Sequence, residues 1–126
     1  MARIRSLKPA IWTNGQFVTL SRDARLLFIG MVSNADDDGR LIGTPISLIG
    51  AVFPQDTVTV KQVSRWRDEI ANAGLIQVYT TGPGTYVVLL NFKKHQYIQK
   101  YNHSSLPDPP VASNGLSNGA SNGPAP

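Results

Sequence analysis

Thr59-Val60-Lys61-Gln62-Val63-Ser64-Arg65-Trp66-Arg67-Asp68-Glu69-Ile70-Ala71-Asn72-Ala73-Gly74-Leu75-Ile76 is the stretch whose reading decides the fold. Its first four residues form a capping box, in which the Thr59 hydroxyl and the Gln62 amide satisfy backbone donors that a first helical turn leaves free. A helix therefore starts at Val60. Val63, Trp66, Ile70 and Ala73 follow at helical spacing and make one apolar face, with Lys61, Arg65 and Asn72 opposite. Asp68 and Glu69 lie three and four residues after Arg65, within ion-pairing reach on a helix surface. Taken alone, this helix fits an ordinary solvated face as well as a nucleic-acid reading face.

The flanking sequence tilts that balance. Gly74 is placed to end the helix in the left-handed conformation. Leu75 to Tyr79 and Tyr86 to Leu90 are β-branched and aromatic runs, with Thr80-Thr81-Gly82-Pro83-Gly84-Thr85 between them as a long hairpin loop. Upstream, Ser21 caps a helix with Asp23 in its first turn and Leu20, Ala24, Leu27, Phe28 and Met31 at the core period, running to about Ala35. The turn Asn34 to Gly39 ends it, and Arg40-Leu41-Ile42 reads as a short strand. Thr44 caps a further helix with Pro45 at its first position, Ile46, Ile49 and Phe53 inward and Pro54 as its stop. The order helix, strand, helix, helix, strand, strand is that of an α+β winged helix-turn-helix: three helices and a β-hairpin wing. In such a fold the helix from Val60 would lie in the major groove and the hairpin loop along the flanking backbone.

With 126 residues and a polar end, the chain has room for one small domain. The absence of Cys excludes disulfides and thiolate metal sites. No segment has the apolar length to span a bilayer, and Met1 to Leu7 lacks the apolar run of a signal peptide, so the expectation is a soluble cytoplasmic protein without a membrane partner. A net charge of +4 and a sequence pI of about 9.7 favour a polyanionic partner.

Three zones follow. Residues 1 to 14 read as an extended basic arm, 15 to 106 as the winged-helix domain with a basic and aromatic extension, and 107 to 126 as a disordered tail with Ser-Asn-Gly at 113, 117 and 121. The tail is a linker, a vestige or a short partner-binding peptide. Arg3, Arg5 and Lys8, held extended by Pro9, suit an arm that reaches a minor groove or phosphates. Equally, the arm can be a strand packed through Ile4, Leu7, Ile11 and Trp12 on a second subunit or on the wing, which would make a homodimer. From Phe92 to His103, Lys93, Lys94, His95 and Lys100 interleave with Tyr97 and Tyr101, a composition that can stack on and neutralise single-stranded DNA. The alternative has Phe92, Tyr97 and Ile98 packing back on the domain, with the lysines solvated.

Several of these motifs together resemble a known family. Arg3-Ile4-Arg5-Ser6-Leu7-Lys8-Pro9, Trp12, Ala24-Arg25-Leu26-Leu27-Phe28-Ile29-Gly30, Ala35-Asp36-Asp37-Asp38-Gly39-Arg40-Leu41, Ala73-Gly74-Leu75-Ile76 and Phe92-Lys93-Lys94-His95-Gln96-Tyr97-Ile98 resemble the N-terminal winged-helix domain of bacteriophage replication initiators, or replisome organisers. That family is distantly similar to the N-terminal domain of the primosomal protein DnaD. The resemblance covers nearly all of residues 1 to 107 and implies a role in phage DNA replication in the host cytoplasm. Two positions depart from its pattern: Phe92 stands in place of Trp and Arg67 in place of an apolar residue.

Other chemistries lack their parts. Asn34, Asp36, Asp38 and Gly39 match the first half of a calcium loop, but Pro45 occupies the position of the bidentate Glu. The acidic side chains are instead expected to satisfy the amides of the turn, with Gly39 at positive φ. His95 and His103 have no Cys or acidic companion for zinc, and Gly82-Pro83-Gly84 lacks the Lys-Ser/Thr ending of a phosphate loop. The expectation is a non-enzyme with no cofactor and no metal. Its partner is double-stranded DNA, read by Lys61, Gln62, Ser64 and Arg65. Phosphate contacts come from Arg3, Arg5, Thr81 in the wing loop, Lys93 and Lys94. A transcriptional regulator on the same fold, or a protein-interaction module recruiting a replicative helicase or its loader, remain the alternatives.

Overall fold

The computed structural model describes residues 2–110. A 3-10 turn at Pro9–Thr13 leads into α1 (Gly15–Val18) and α2 (Arg22–Asn34). β1 (Arg40–Ile42), α3 (Pro45–Val52), α4 (Val60–Asn72), β2 (Ile76–Thr81), β3 (Gly84–Leu89) and the one-turn α5 (Phe92–His95) follow. The described residues are α+β: five α-helices and one three-stranded antiparallel sheet in the order β1-β3-β2.

The helix starts form as their sequences dictate. The Ser21 hydroxyl accepts from the Ala24 amide at 3.3 Å, and Thr44 caps α3 in the same way, with Pro45 at the first position. At α4 both halves of the capping box are made: the Thr59 amide donates to Gln62 Oε1 at 2.9 Å, and the Gln62 amide to Thr59 Oγ1 at 3.1 Å. The far end of α4 closes as a Schellman motif, with Leu75 N–H on the Ile70 carbonyl, Gly74 N–H on that of Ala71, and Gly74 at φ +82°.

α2, α3 and α4 pack on one another, and α4 also meets β2. Phe17, Leu27, Met31, Leu48, Val63, Ile70 and Val87 are fully buried between them, and Trp66 lies 5.6 Å from Phe53, ring centre to ring centre. In the sheet, Leu41 faces Val87 across β1 and β3, and Tyr79 pairs with Tyr86 across β2 and β3.

Four expectations need correction. Ile46 is 73% exposed and Leu48 takes the core position. Apolar residues at 46, 48, 49, 52 and 53 surround so much of α3 that periodicity does not fix its buried stripe. The hairpin loop is tight, because Thr81 pairs with Gly84 and only Gly82-Pro83 turn the chain. Positive φ at Gly82, followed by a proline, is the sign pattern of a type II′ turn, whose twist matches the strands it joins. Residues 2–8 form no strand; Ile4 is fully exposed, and of the arm's apolar residues Ile11 packs against the core. Finally, the tail begins later than Pro107: the Tyr79 hydroxyl donates to the Pro107 carbonyl at 2.8 Å, and Asp108 pairs with Arg40 at 2.9 Å. The expected disorder of the Ser-Asn-Gly repeats lies outside the described residues.

Candidate nucleic-acid interface

On α4, Lys61 and Arg65 are exposed, one turn apart, and among the described residues neither forms an ion pair. The carboxylates expected to neutralise Arg65 are engaged elsewhere. Asp68 pairs with Arg67 at 3.2 Å, and Glu69 accepts from the Ser21 amide at 2.5 Å and the Ser21 hydroxyl at 2.9 Å, thereby closing the start of α2. Glu69 thus contributes to the packing of two helices. Gln62 spends its amide oxygen on the cap, and half-buried Ser64 lies 3.5 Å from Arg67 Nη2.

Arg67 has a structural task. Its Nη1 donates to the Gly43 carbonyl at 2.9 Å, tying α4 to the end of β1. Gly43 lies so close to β3 that a Cβ there would stand 2.6 Å from Val87 Cγ2, so this anchoring carbonyl is fixed by the sheet. Thr81 is exposed beside the hairpin turn.

The arm behaves differently from the expectation. Arg3 Nη1 donates to both Asp37 oxygens, at 2.9 and 2.7 Å, and Arg5 Nη2 donates to Asp37 Oδ1 at 2.8 Å and to the Ala35 carbonyl at 3.0 Å. The side chain of Arg5 is 5% exposed and that of Asp37 2%. The guanidinium of Arg5 also lies over the Phe92 ring, 5.0 Å from its centre. Arg3 and Arg5 are therefore committed to an internal carboxylate rather than presented to phosphates. The reason is desolvation: a buried carboxylate needs cationic and hydrogen-bonding partners, and the arm supplies them.

The same turn gathers the C-terminal extension. Asp37 Oδ2 accepts from the Asn102 amide at 2.9 Å. Asp38 accepts from the Tyr101 hydroxyl at 2.5 Å, the Ser104 amide at 2.8 Å and Lys93 Nζ at 2.9 Å. Lys93 is thus paired, and its ammonium stands 4.5 Å from the centre of the Tyr101 ring. Asp36 accepts from the amides of Asp38 and Arg40 and from the Ser104 hydroxyl. As expected, Asp36 satisfies amides of the turn and Gly39 takes positive φ, at +79°, whereas Asp37 and Asp38 are taken up by partners from the arm and the C-terminal extension.

These contacts set the titration of the cluster. The Asn102 amide and the Arg5 guanidinium, with Arg3 behind them, hold the Asp37 carboxyl below its ordinary value against the cost of burial. For Asp38, burial pushes upward, but the hydrogen bonds from Tyr101, Lys93 and Ser104 outweigh it and bring the pKa down to about 2.

Of the predicted contact residues, the structure brings Lys61, Gln62, Ser64 and Arg65 together on α4 and leaves Lys94 exposed on α5, while it withdraws Arg3, Arg5 and Lys93 into ion pairs. Phe92 and Ile98 pack on the domain as one reading held, but Tyr97 is 83% exposed. Among the described residues no three His, Cys, Asp or Glu side chains are disposed to hold a metal ion, and no helix is long and apolar enough to cross a membrane. Compared with protein-family models, with curated proteins and with solved structures, the chain matches none.

Proposed function

We propose that the protein is a winged helix-turn-helix that binds duplex DNA through the N-terminal half of α4. The observation that carries this reading is the pair Lys61 and Arg65: exposed, one turn apart and free of ion pairs among the described residues, on a helix whose opposite face is locked into the core through Val63, Trp66 and Ile70. A rigid helix with unneutralised cations at its leading end suits insertion into a major groove, where an arginine reads guanine edges and a lysine meets phosphate. α3 and the turn before Thr59 form the first half of a helix-turn-helix, and the β2–β3 hairpin is the wing. Its short tip carries Thr81 and no charge, which suits a passing backbone contact rather than a deep one. Within this reading, the resemblance to phage replication initiators favours origin binding over transcriptional control.

Duplex binding measured by fluorescence anisotropy across a salt series tests the proposal. Affinity should fall steeply with salt, because each neutralised phosphate releases counterion. A flat salt response, or no binding to any duplex at low salt, overturns it and favours a protein-recruiting module, and binding that survives loss of both Lys61 and Arg65 overturns the assignment to α4.

A further inference from the structure

A second cationic feature lies at the other end of α4. Lys61 and Gly74 are thirteen residues apart, or roughly 20 Å along a helix. Beside Gly74 a groove of about 230 Å³ opens between the arm, the α4–β2 turn and α5, with the buried Phe17 and Phe92 in its floor and the exposed Lys8, Leu90 and His95 also in its lining. Lys8 Nζ donates to the main-chain carbonyl of Lys94 at 3.4 Å, next to His95 in the chain, and Lys94 is itself exposed. Burial, then Lys8 and Lys94, hold the His95 imidazole below its ordinary value, so at neutral pH the charge beside the groove is that of the lysines. Neither lysine pairs with a carboxylate among the described residues. One exposed aromatic ring touches the lining: Trp12, 58% exposed and edge-on to the groove residue Phe17 at 5.9 Å.

We propose that this groove holds one unpaired base of a single-stranded nucleic acid, with the neighbouring phosphates on Lys8 and Lys94. An apolar floor with cations beside it complements a base joined to a phosphate, and its volume suits one base with its sugar rather than a whole cofactor. Trp12 offers a stacking surface for a neighbouring base, where any base sequence is accepted. The site is separate from the duplex-reading face of α4 and stands whether or not that face binds DNA.

The test is anisotropy of the intact protein with a labelled oligothymidine and its oligouridine counterpart; tight binding of either supports the site and identifies the polymer. The double variant Lys8→Ala/Lys94→Ala should weaken binding at least about tenfold and lower the salt slope by about 0.7 for each lysine. Ala10→Phe, which places a ring in the groove without touching a charge, should also weaken binding about tenfold, the scale of one lost base stack. Lys61→Ala/Arg65→Ala should leave oligonucleotide binding unchanged. The proposal is overturned if the oligonucleotides bind no more tightly than an acidic peptide of equal charge. It is equally overturned if the lysine and Ala10 variants bind like the parent, or if the α4 variant alone removes binding. Failure of duplex binding with oligonucleotide binding intact would sink the α4 reading and leave this one standing.

Discussion

The exposed face of α4 and the acidic turn at Asp36–Asp38 handle positive charge in opposite ways. On α4, Lys61 and Arg65 stand clear because the nearby carboxylates, Asp68 and Glu69, are drawn off by Arg67 and Ser21. At the turn, Arg3, Arg5 and Lys93 are consumed by Asp37 and Asp38. The lesson is that the basic residues of a DNA-binding candidate count only after its internal ion pairs are subtracted. An arginine buried on a carboxylate is a structural element whose removal affects stability, whereas a free one affects binding.

The comparison breaks most readily at Asp37. Asp37→Ala leaves the buried Arg5 guanidinium without its partner and should cost about 3–5 kcal/mol of stability, read as a large fall in the urea midpoint. An unchanged midpoint would show that the turn is decoration. On the other side, Arg65→Ala should weaken duplex binding by about 1–3 kcal/mol and relax specificity at one position, with melting unaltered. Lys61→Ala should weaken all duplexes alike and lower the salt slope by about one.

Acid provides a third measurement. Asp37 and Asp38 titrate below the ordinary carboxyl value of 3.8, Asp38 at about 2. The folded state therefore binds fewer protons than the unfolded chain between those values. The contribution of Asp38 to stability is present above about pH 4 and is lost as pH falls toward about 2, and that of Asp37 is likewise lost in acid below its ordinary value. Urea midpoints taken across that window should decline for the parent and decline less for Asp37→Asn. Parallel curves would mean that other carboxylates dominate acid unfolding.

Smaller effects separate the two arginines of the arm. Arg3 is a third exposed and Arg5 is not, so Arg3→Ala should cost no more than about 1 kcal/mol of stability and leave duplex affinity unchanged. A marked loss of duplex binding in Arg3→Ala would restore the arm as a DNA contact. The smallest change belongs to Asp68→Ala: removing an anion beside Arg67 should shift duplex affinity by less than about 0.5 kcal/mol, toward tighter binding. Appreciable weakening would place Asp68 in contact with the partner.

The sequence made the elements legible because their signals are local. Caps at Ser21, Thr44 and Thr59, and the glycine stop at 74, are decided within one helical turn, and each appears where it was expected. The phase of α3 was not legible, since a helix apolar on most sides offers no contrast. The compact hairpin was masked by the threonines at 80 and 81 and at 85, which read as loop but pair as strand. On α4, Lys61 and Arg65 were legible as an outward face, but the fate of Asp68 and Glu69 depended on partners at Arg67 and Ser21. The ion-pair cluster was the least visible. Arg3 and Arg5 reach Asp37 across more than thirty residues, and Asn102 and Ser104 reach the turn across more than sixty, distances at which single-sequence patterns carry no pairing information.

The position of the acidic turn between these two partners also sets an order of completion during synthesis. The Arg3 and Arg5 contacts close loops about half as long as those of the extension and become available once α2 and the turn have emerged. Those from Tyr101, Asn102 and Ser104 must wait for almost the whole domain to leave the ribosome, and they close loops of more than sixty residues. A chain whose helices have left the ribosome before residue 101 has done so carries an Asp38 carboxylate that still lacks its Tyr101 and Ser104 partners. The extension is thus the last of the described residues to reach the turn.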